Sequence, residues 1–128
     1  MKLCSPPMVK LLFCVRRHPQ VDAAEFHRYW RDVHGPLVTS VADCLGIRRY
    51  VQAHTLDTPL NDVLAATRDA PPCFDGVAEL WFDSAQSIAE CASTPEGTAA
   101  AQMLLQDERR FIDHARSPLF LAEEHRVI

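Results

Sequence analysis

Met8 to Val15 is apolar at every position except Lys10, the pattern of a central strand buried on both faces. Past Arg16-Arg17-His18-Pro19 the period becomes helical. Phe26, Tyr29, Trp30, Val33 and Leu37 recur on one face, while His27, Arg28, Arg31 and Asp32 take the other. Asp22 stands at the N-cap with Glu25 three residues on, the spacing of a capping box. Val21 and Phe26 have the spacing of a hydrophobic staple. Gly35-Pro36 is a stop signal, which places His34 at the helix end, one turn beyond Trp30.

Leu37 to Cys44 reads as a short helical or irregular continuation closed by Gly46. Ile47 to His54 then alternates as a second strand, with Tyr50, Gln52 and His54 sharing a face. Residues 55 to 74 carry Pro59, Pro71 and Pro72 and have the length of a lid or binding loop, with a helical turn predicted at Leu60 to Thr67. Val77 to Phe82 is a third strand. Ser84 opens a helix to about Ala92, and Thr94-Pro95-Glu96 opens another to about Arg110. Ser117 to about Glu124 is the last strand. The order β-α-β-β-α-β predicts an α+β, ferredoxin-like sandwich with an antiparallel sheet, its helices on one face. Apolar residues occur on both strand faces, so a second copy is expected to cover the open side, giving a homodimer.

The 128 residues suffice for one domain, expected at 8–128 behind a loose leader at 1–7 that contains Pro6-Pro7. A formal net charge of -4 and the lack of any Lys/Arg run argue against nucleic acid as a partner. The five cysteines are scattered, with no Cys-x-x-Cys pair, so neither a metal site nor a disulfide framework is expected. The start has no signal-peptide pattern and no run is long enough to span a membrane, from which a reduced, cytoplasmic protein is expected. Gly-rich phosphate loops, Gly-x-Ser-x-Gly elbows and paired-His zinc motifs are also missing, and no cofactor is called for.

His34 is the first candidate for chemistry. A helix C-terminus favours the imidazolium and burial against Trp30 opposes it, a balance suited to proton transfer. A capping role is the alternative. Asp107 lies on the apolar stripe of its helix with Ala100, Met103, Leu104 and Phe111, so its carboxylate needs a partner. A buried structural ion pair and an acid–base pair with His34 are both open. His54, at a strand end beside Tyr50, is suited to holding a substrate oxygen, to shuttling a proton or to staying solvated. Tyr29, Trp30, Tyr50, Trp81 and Phe111 are candidates for a pocket lining or for plain core. Glu79 and Asp75 read as structural, while His18, His27, His114 and His125 read as surface residues.

Four stretches together resemble the EthD-domain family: Phe26-His-Arg-Tyr-Trp-Arg-Asp-Val-His34-Gly-Pro-Leu37, Arg49-Tyr-Val-Gln-Ala-His54, Phe74-Asp-Gly-Val-Ala-Glu-Leu-Trp-Phe82-Asp-Ser, and Asp107-Glu-Arg-Arg-Phe-Ile-Asp113. The resemblance spans about residues 8 to 122. It implies a dimeric α/β barrel, a fold shared with cofactor-free cyclases, small monooxygenases and some haem-handling proteins. It favours His34, His54, Asp75 and Asp107 as pocket polar groups; beside them, Tyr29, Trp30, Tyr50, Asp75 and Phe111 are the residues expected against the substrate. The implied activity is cofactor-independent acid–base chemistry on a hydrophobic, aromatic or polyketide-like molecule: dehydration, cyclisation or decarboxylation. An oxygenase, an accessory to a degradative oxidoreductase and a non-catalytic ligand-binding module are the alternatives.

Overall fold

A computed structural model describes residues 8–128; the leader expected at 1–7, with Cys4, lies outside them. The strands are β1 (Val9–Val15), β2 (Arg49–His54), β3 (Gly76–Phe82) and β4 (Leu119–Glu123). They form one sheet in the order β2-β3-β1-β4, every neighbouring pair antiparallel. This is the ferredoxin-like arrangement that the element order predicts. In the register Leu11 faces Leu80, Phe13 faces Ala78 and Tyr50 faces Leu80. These residues line the helix-covered side of the sheet.

The first helical unit does not stop at Gly35-Pro36. Helix α1 (Ala23–Tyr29) passes into a π turn (Trp30–His34), then α2 (Gly35–Ser40) and a short α3 (Ala42–Leu45). Pro36 falls in the first turn of α2, directly after the π turn. His34 therefore lies in mid-helix, and the dipole of a helix end does not act on it as the sequence suggests. The buried positions are Phe26, Trp30, His34 and Val38, at intervals of four. That spacing overshoots 3.6 residues per turn, and the wider π turn absorbs the excess. Val33, expected in the apolar stripe, is turned out to 39% exposure. The N-cap is as predicted, with Asp22 accepting from the Glu25 backbone at 2.8 Å. Glu25's side chain does not close the box; it pairs with Arg28.

The stretch at 55–74 is not a plain loop, because Thr58 caps a nine-residue helix, α4 (Pro59–Thr67). Helices α5 (Ala85–Ala92) and α6 (Pro95–Glu108) start at Ser84 and Thr94 as predicted. A left-handed Gly46 (φ 74°) ends α3 and turns the chain into β2. Trp30, Phe26, Phe111 and Val15 are the largest fully buried side chains and hold α1 and the end of α6 against β1. Val38, Ile47 and Phe82 form a second cluster at the other end of the sheet.

Among the described residues, no helix covers the second sheet face. It carries Leu12, Val51, Val77 and Phe120 around a polar centre in which Lys10 bonds Glu79 at 2.8 Å. Lys10 and Arg49 both lie over the Trp81 ring. Among the described residues, no helix is long and apolar enough to cross a membrane.

Gly76 sets the spacing between layers. A Cβ there would run into the Trp30 ring, with the Ala53 carbonyl 2.7 Å away. Gly76→Ala should cost about 1–3 kcal/mol, the usual range for overpacking. The urea midpoint checks this, and an unchanged midpoint would mean that Trp30 yields freely.

Candidate active site

Between the sheet and the helices lies a cavity of about 270 Å³, walled by Leu11, Phe13, Leu80 and Phe82 from strands and Val38 and Leu104 from helices. Ala78, Ala92 and Ala101 leave the space that larger side chains would fill. An apolar cavity of roughly 150 Å³ accommodates benzene, so this volume suits one or two fused rings. Three ionisable side chains reach it: His34, Tyr50 and Glu108. No lysine or arginine does.

The π turn aims His34 at α6. Its Nδ1 lies 2.8 Å from Asp107 Oδ2, and Tyr29 donates its hydroxyl to Asp107 Oδ1 at 2.5 Å. The carboxylate is thus held by two groups from one helical unit, with exposed Arg110 further off at 3.8 Å. Phe111 backs the imidazole with ring centroids 5.0 Å apart. An ionised carboxylate only accepts, so His34 carries its hydrogen on Nδ1. Nε2 has no protein partner among the described residues. It is the nitrogen left to act as a base toward the cavity. Burial, then the hydrogen bond to Asp107, raises the Tyr29 hydroxyl above the ordinary phenol range.

Tyr50 is oriented by a chain of bonds whose direction is fixed. Gln52 Nε2 donates to the Trp30 carbonyl at 2.8 Å and to the Tyr50 oxygen at 2.7 Å. A carbonyl cannot donate, so the amide must lie this way round, and its Oε1 faces His54 Nε2 at 2.8 Å. His54 therefore donates from Nε2, and the neutral ring accepts at Nδ1 from His27 Nδ1, 2.7 Å away. Every bond points toward Tyr50, whose own O–H is left for a ligand. Burial raises the Tyr50 hydroxyl above its ordinary value, opposed by the Gln52 and Trp30 donors, so it stays protonated near neutrality.

The candidate residues thus separate. His34, Trp30 and Tyr50 line the cavity, and Asp107 holds His34. Tyr29 and Phe111, expected against substrate, instead stand behind the pair; their rings pack on each other at 5.1 Å. His54 is not in the cavity. It packs on Trp30 and borders an outer crevice with His27 and Arg31, reaching the cavity only through Gln52. Asp75, expected to be a pocket group, accepts from the Arg17 backbone at 2.8 Å and borders that same crevice. Glu108, not among the sequence candidates, lines the cavity, and His114, read as surface, bonds it at 3.0 Å. His27 likewise has a partner. The signal for Glu108 was its place beside Asp107, since consecutive residues in a last helical turn can straddle a groove. Among the described residues, no three His, Cys, Asp or Glu side chains are grouped to hold a metal.

Fold and site together define a small α+β domain with a ligand-sized apolar cavity and, facing into it, a histidine held by a carboxylate. Residues 18–115 match the EthD domain model, and the chain belongs to the EthD family. An EthD-family protein of Bacillus halodurans C-125 aligns at a TM-score of 0.61 and 22% identity, over 92% of this chain and 99% of that one. An EthD-like protein of Ralstonia eutropha JMP134 aligns at 0.60 and 19%, over 91% of each chain. SnoaB, a cofactor-independent oxygenase of Streptomyces nogalater, aligns at 0.57 and 13%, over 96% and 98% respectively. No curated protein matches the sequence.

Burial, then the neighbouring His27 and Arg31, lowers the proton affinity of His54 below that of a free imidazole. Protonation at His54 therefore favours the unfolded chain. Its stabilising contribution is complete above pH ~6.5 and is lost as pH falls through that value toward the lowered one. Thermal melts between pH 7.5 and 5 should show Tm falling with acid, more steeply in wild type than in His54→Gln. Parallel curves would remove His54 as the source.

Proposed function

We propose that this EthD-family chain is a cofactor-independent enzyme acting on a hydrophobic aromatic or polyketide-like small molecule. The observation that carries this is His34: its tautomer is fixed by Asp107, and its remaining nitrogen is free beside an apolar cavity. His34 Nε2 takes a proton from a carbon next to a carbonyl, while Tyr50 donates to the carbonyl oxygen as negative charge builds there. In a dehydration the imidazolium returns that proton to the departing hydroxyl, which leaves as water. Asp107 keeps the imidazole in place and stabilises its charged form. Cyclisation and decarboxylation pass through the same enol-like species, although the cavity lining offers no lysine or arginine to a substrate carboxylate.

The likeness to the oxygenase SnoaB supports a second reading, in which the same deprotonation readies an electron-rich ring for dioxygen. Incubation of hydroxylated one- and two-ring ketones with the protein in air, followed by mass spectrometry, separates the readings. Loss of water or carbon dioxide supports the first, and gain of oxygen the second. Recovery of unchanged bound ligand would leave a binding module. His34→Ala should lower turnover at least 100-fold, the scale of a lost general base. Undiminished turnover would end the assignment.

We infer further that two copies pair through the open sheet face, completing an α/β barrel. Its apolar residues surround a satisfied Lys10–Glu79 pair, and a Bacteroides fragilis relative of ferredoxin-like fold, aligned at a TM-score of 0.58, is described as dimeric. Phe120, half exposed on this face, is the residue to charge. Phe120→Glu should shift the mass measured by light scattering from dimer to monomer, and a wild-type monomer would refute the pairing.

A further inference from the structure

Glu108 is unusual among the cavity residues. It is the lining carboxylate, set among Phe13, Leu104, Ile112 and Leu119. Its side chain is only 19% exposed. One oxygen is spoken for: His114 lies with Nε2 3.0 Å from Oε1, and since an ionised carboxylate accepts, the imidazole donates. His114 is itself steadied against Phe13, their rings parallel within 1° at 6.4 Å. The second oxygen has no protein partner among the described residues. Among the described residues no buried side-chain nitrogen or oxygen lacks a hydrogen bond, so this oxygen is accessible.

Position adds to the chemistry. Ala92, Ala101 and Leu119 are the exposed members of the lining and mark the opening between the α5–α6 layer and β4. Glu108 stands on the same side of α6 as Ala101 and Leu104, near that opening. His34 belongs to the buried wall with Trp30 and Val15. A ligand filling the cavity thus meets a donor at Tyr50, a base at His34 and an acceptor at Glu108.

We propose that Glu108, positioned by His114, determines substrate class: it accepts a hydrogen bond from a hydroxyl of a neutral ring compound and repels carboxylates. This rests on the cavity being the substrate site, as argued above, but not on any particular reaction. A hydrogen bond to a charged group inside a low-dielectric site is worth more than a neutral one, and like charge without a counter-cation is disfavoured there.

Calorimetric titration of the full chain with three probes of one shape tests it: 2-naphthol, 2-methoxynaphthalene and 2-naphthoate. The methoxy compound keeps the acceptor oxygen that Tyr50 would bind and removes the hydroxyl hydrogen that Glu108 would bind. Wild type should bind the naphthol about ten-fold or more tightly than the methoxy compound, and bind the naphthoate most weakly. Glu108→Gln should bring naphthol and methoxynaphthalene to within about two-fold and strengthen naphthoate binding. His114→Ala should move the same ratios part of the way while methoxynaphthalene affinity stays constant. Unchanged ratios in Glu108→Gln overturn the proposal. An equal loss for all three probes also overturns it, because Glu108 would then be merely structural. If wild type binds none of them, the cavity is not the ligand site, and this inference and the enzymatic reading fall together. If the ratios behave as expected while His34→Ala leaves turnover intact, the acid–base reading fails alone.

Discussion

A carboxylate withdrawn from water has to be compensated, and the two hydrogen bonds to Asp107 both come from across the layer of helices. Its two oxygens receive Tyr29 and His34, residues five apart on the first helical unit. A regular α-helix would turn side chains five apart to faces well over 100° apart. The π turn between them brings both to the same carboxylate. One electrostatic requirement therefore fixes the end of α6 against the first helical unit and selects the irregularity in that unit. Phe111, four residues past Asp107, fills the space behind the pair and carries the same junction into the apolar core.

The π turn also serves the sheet. The Trp30 carbonyl accepts the Gly35 N–H of the widened turn and the Gln52 amide of β2. Gly35 permits this approach, since a Cβ there would stand 3.3 Å from Gln52 Nε2. The amide orients Tyr50. Base and donor thus depend on neighbouring atoms of a single turn, which makes their separation a property of backbone geometry more than of side-chain rotamers. Such irregular turns recur at functional sites because they re-aim side chains without breaking a helix.

The cavity is the result of a packing choice. Ala78 stands where a larger residue would fill the core, Ala92 and Ala101 where larger ones would close the mouth, and the walls elsewhere are large and apolar. A void of this size forfeits packing energy that a closed core would retain. Stability that is given up in this way, beside a fixed histidine and an oriented phenol, is consistent with the space being kept for a ligand.

Hydrophobic periodicity determined the order of the elements, most of the helix faces and the ferredoxin-like class, because those patterns record burial one residue at a time. The four matching stretches carried the family. The need for a partner at Asp107 was also legible, since a carboxylate on an apolar stripe has to be matched. The identity of its second partner, Tyr29, was not. Neither was the continuation past Gly35-Pro36, which local propensity marks as a stop and which tertiary bonds to Gln52 and Asp107 override. His54, Gln52 and Tyr50 alternate on one strand face, but only the position of the Trp30 carbonyl sets the direction of their hydrogen bonds. Glu108 and Asp107 are neighbours in sequence, yet one lines the cavity and the other bonds His34. Local sequence specifies which faces are apolar, whereas the packing of helix on sheet decides which polar group meets which.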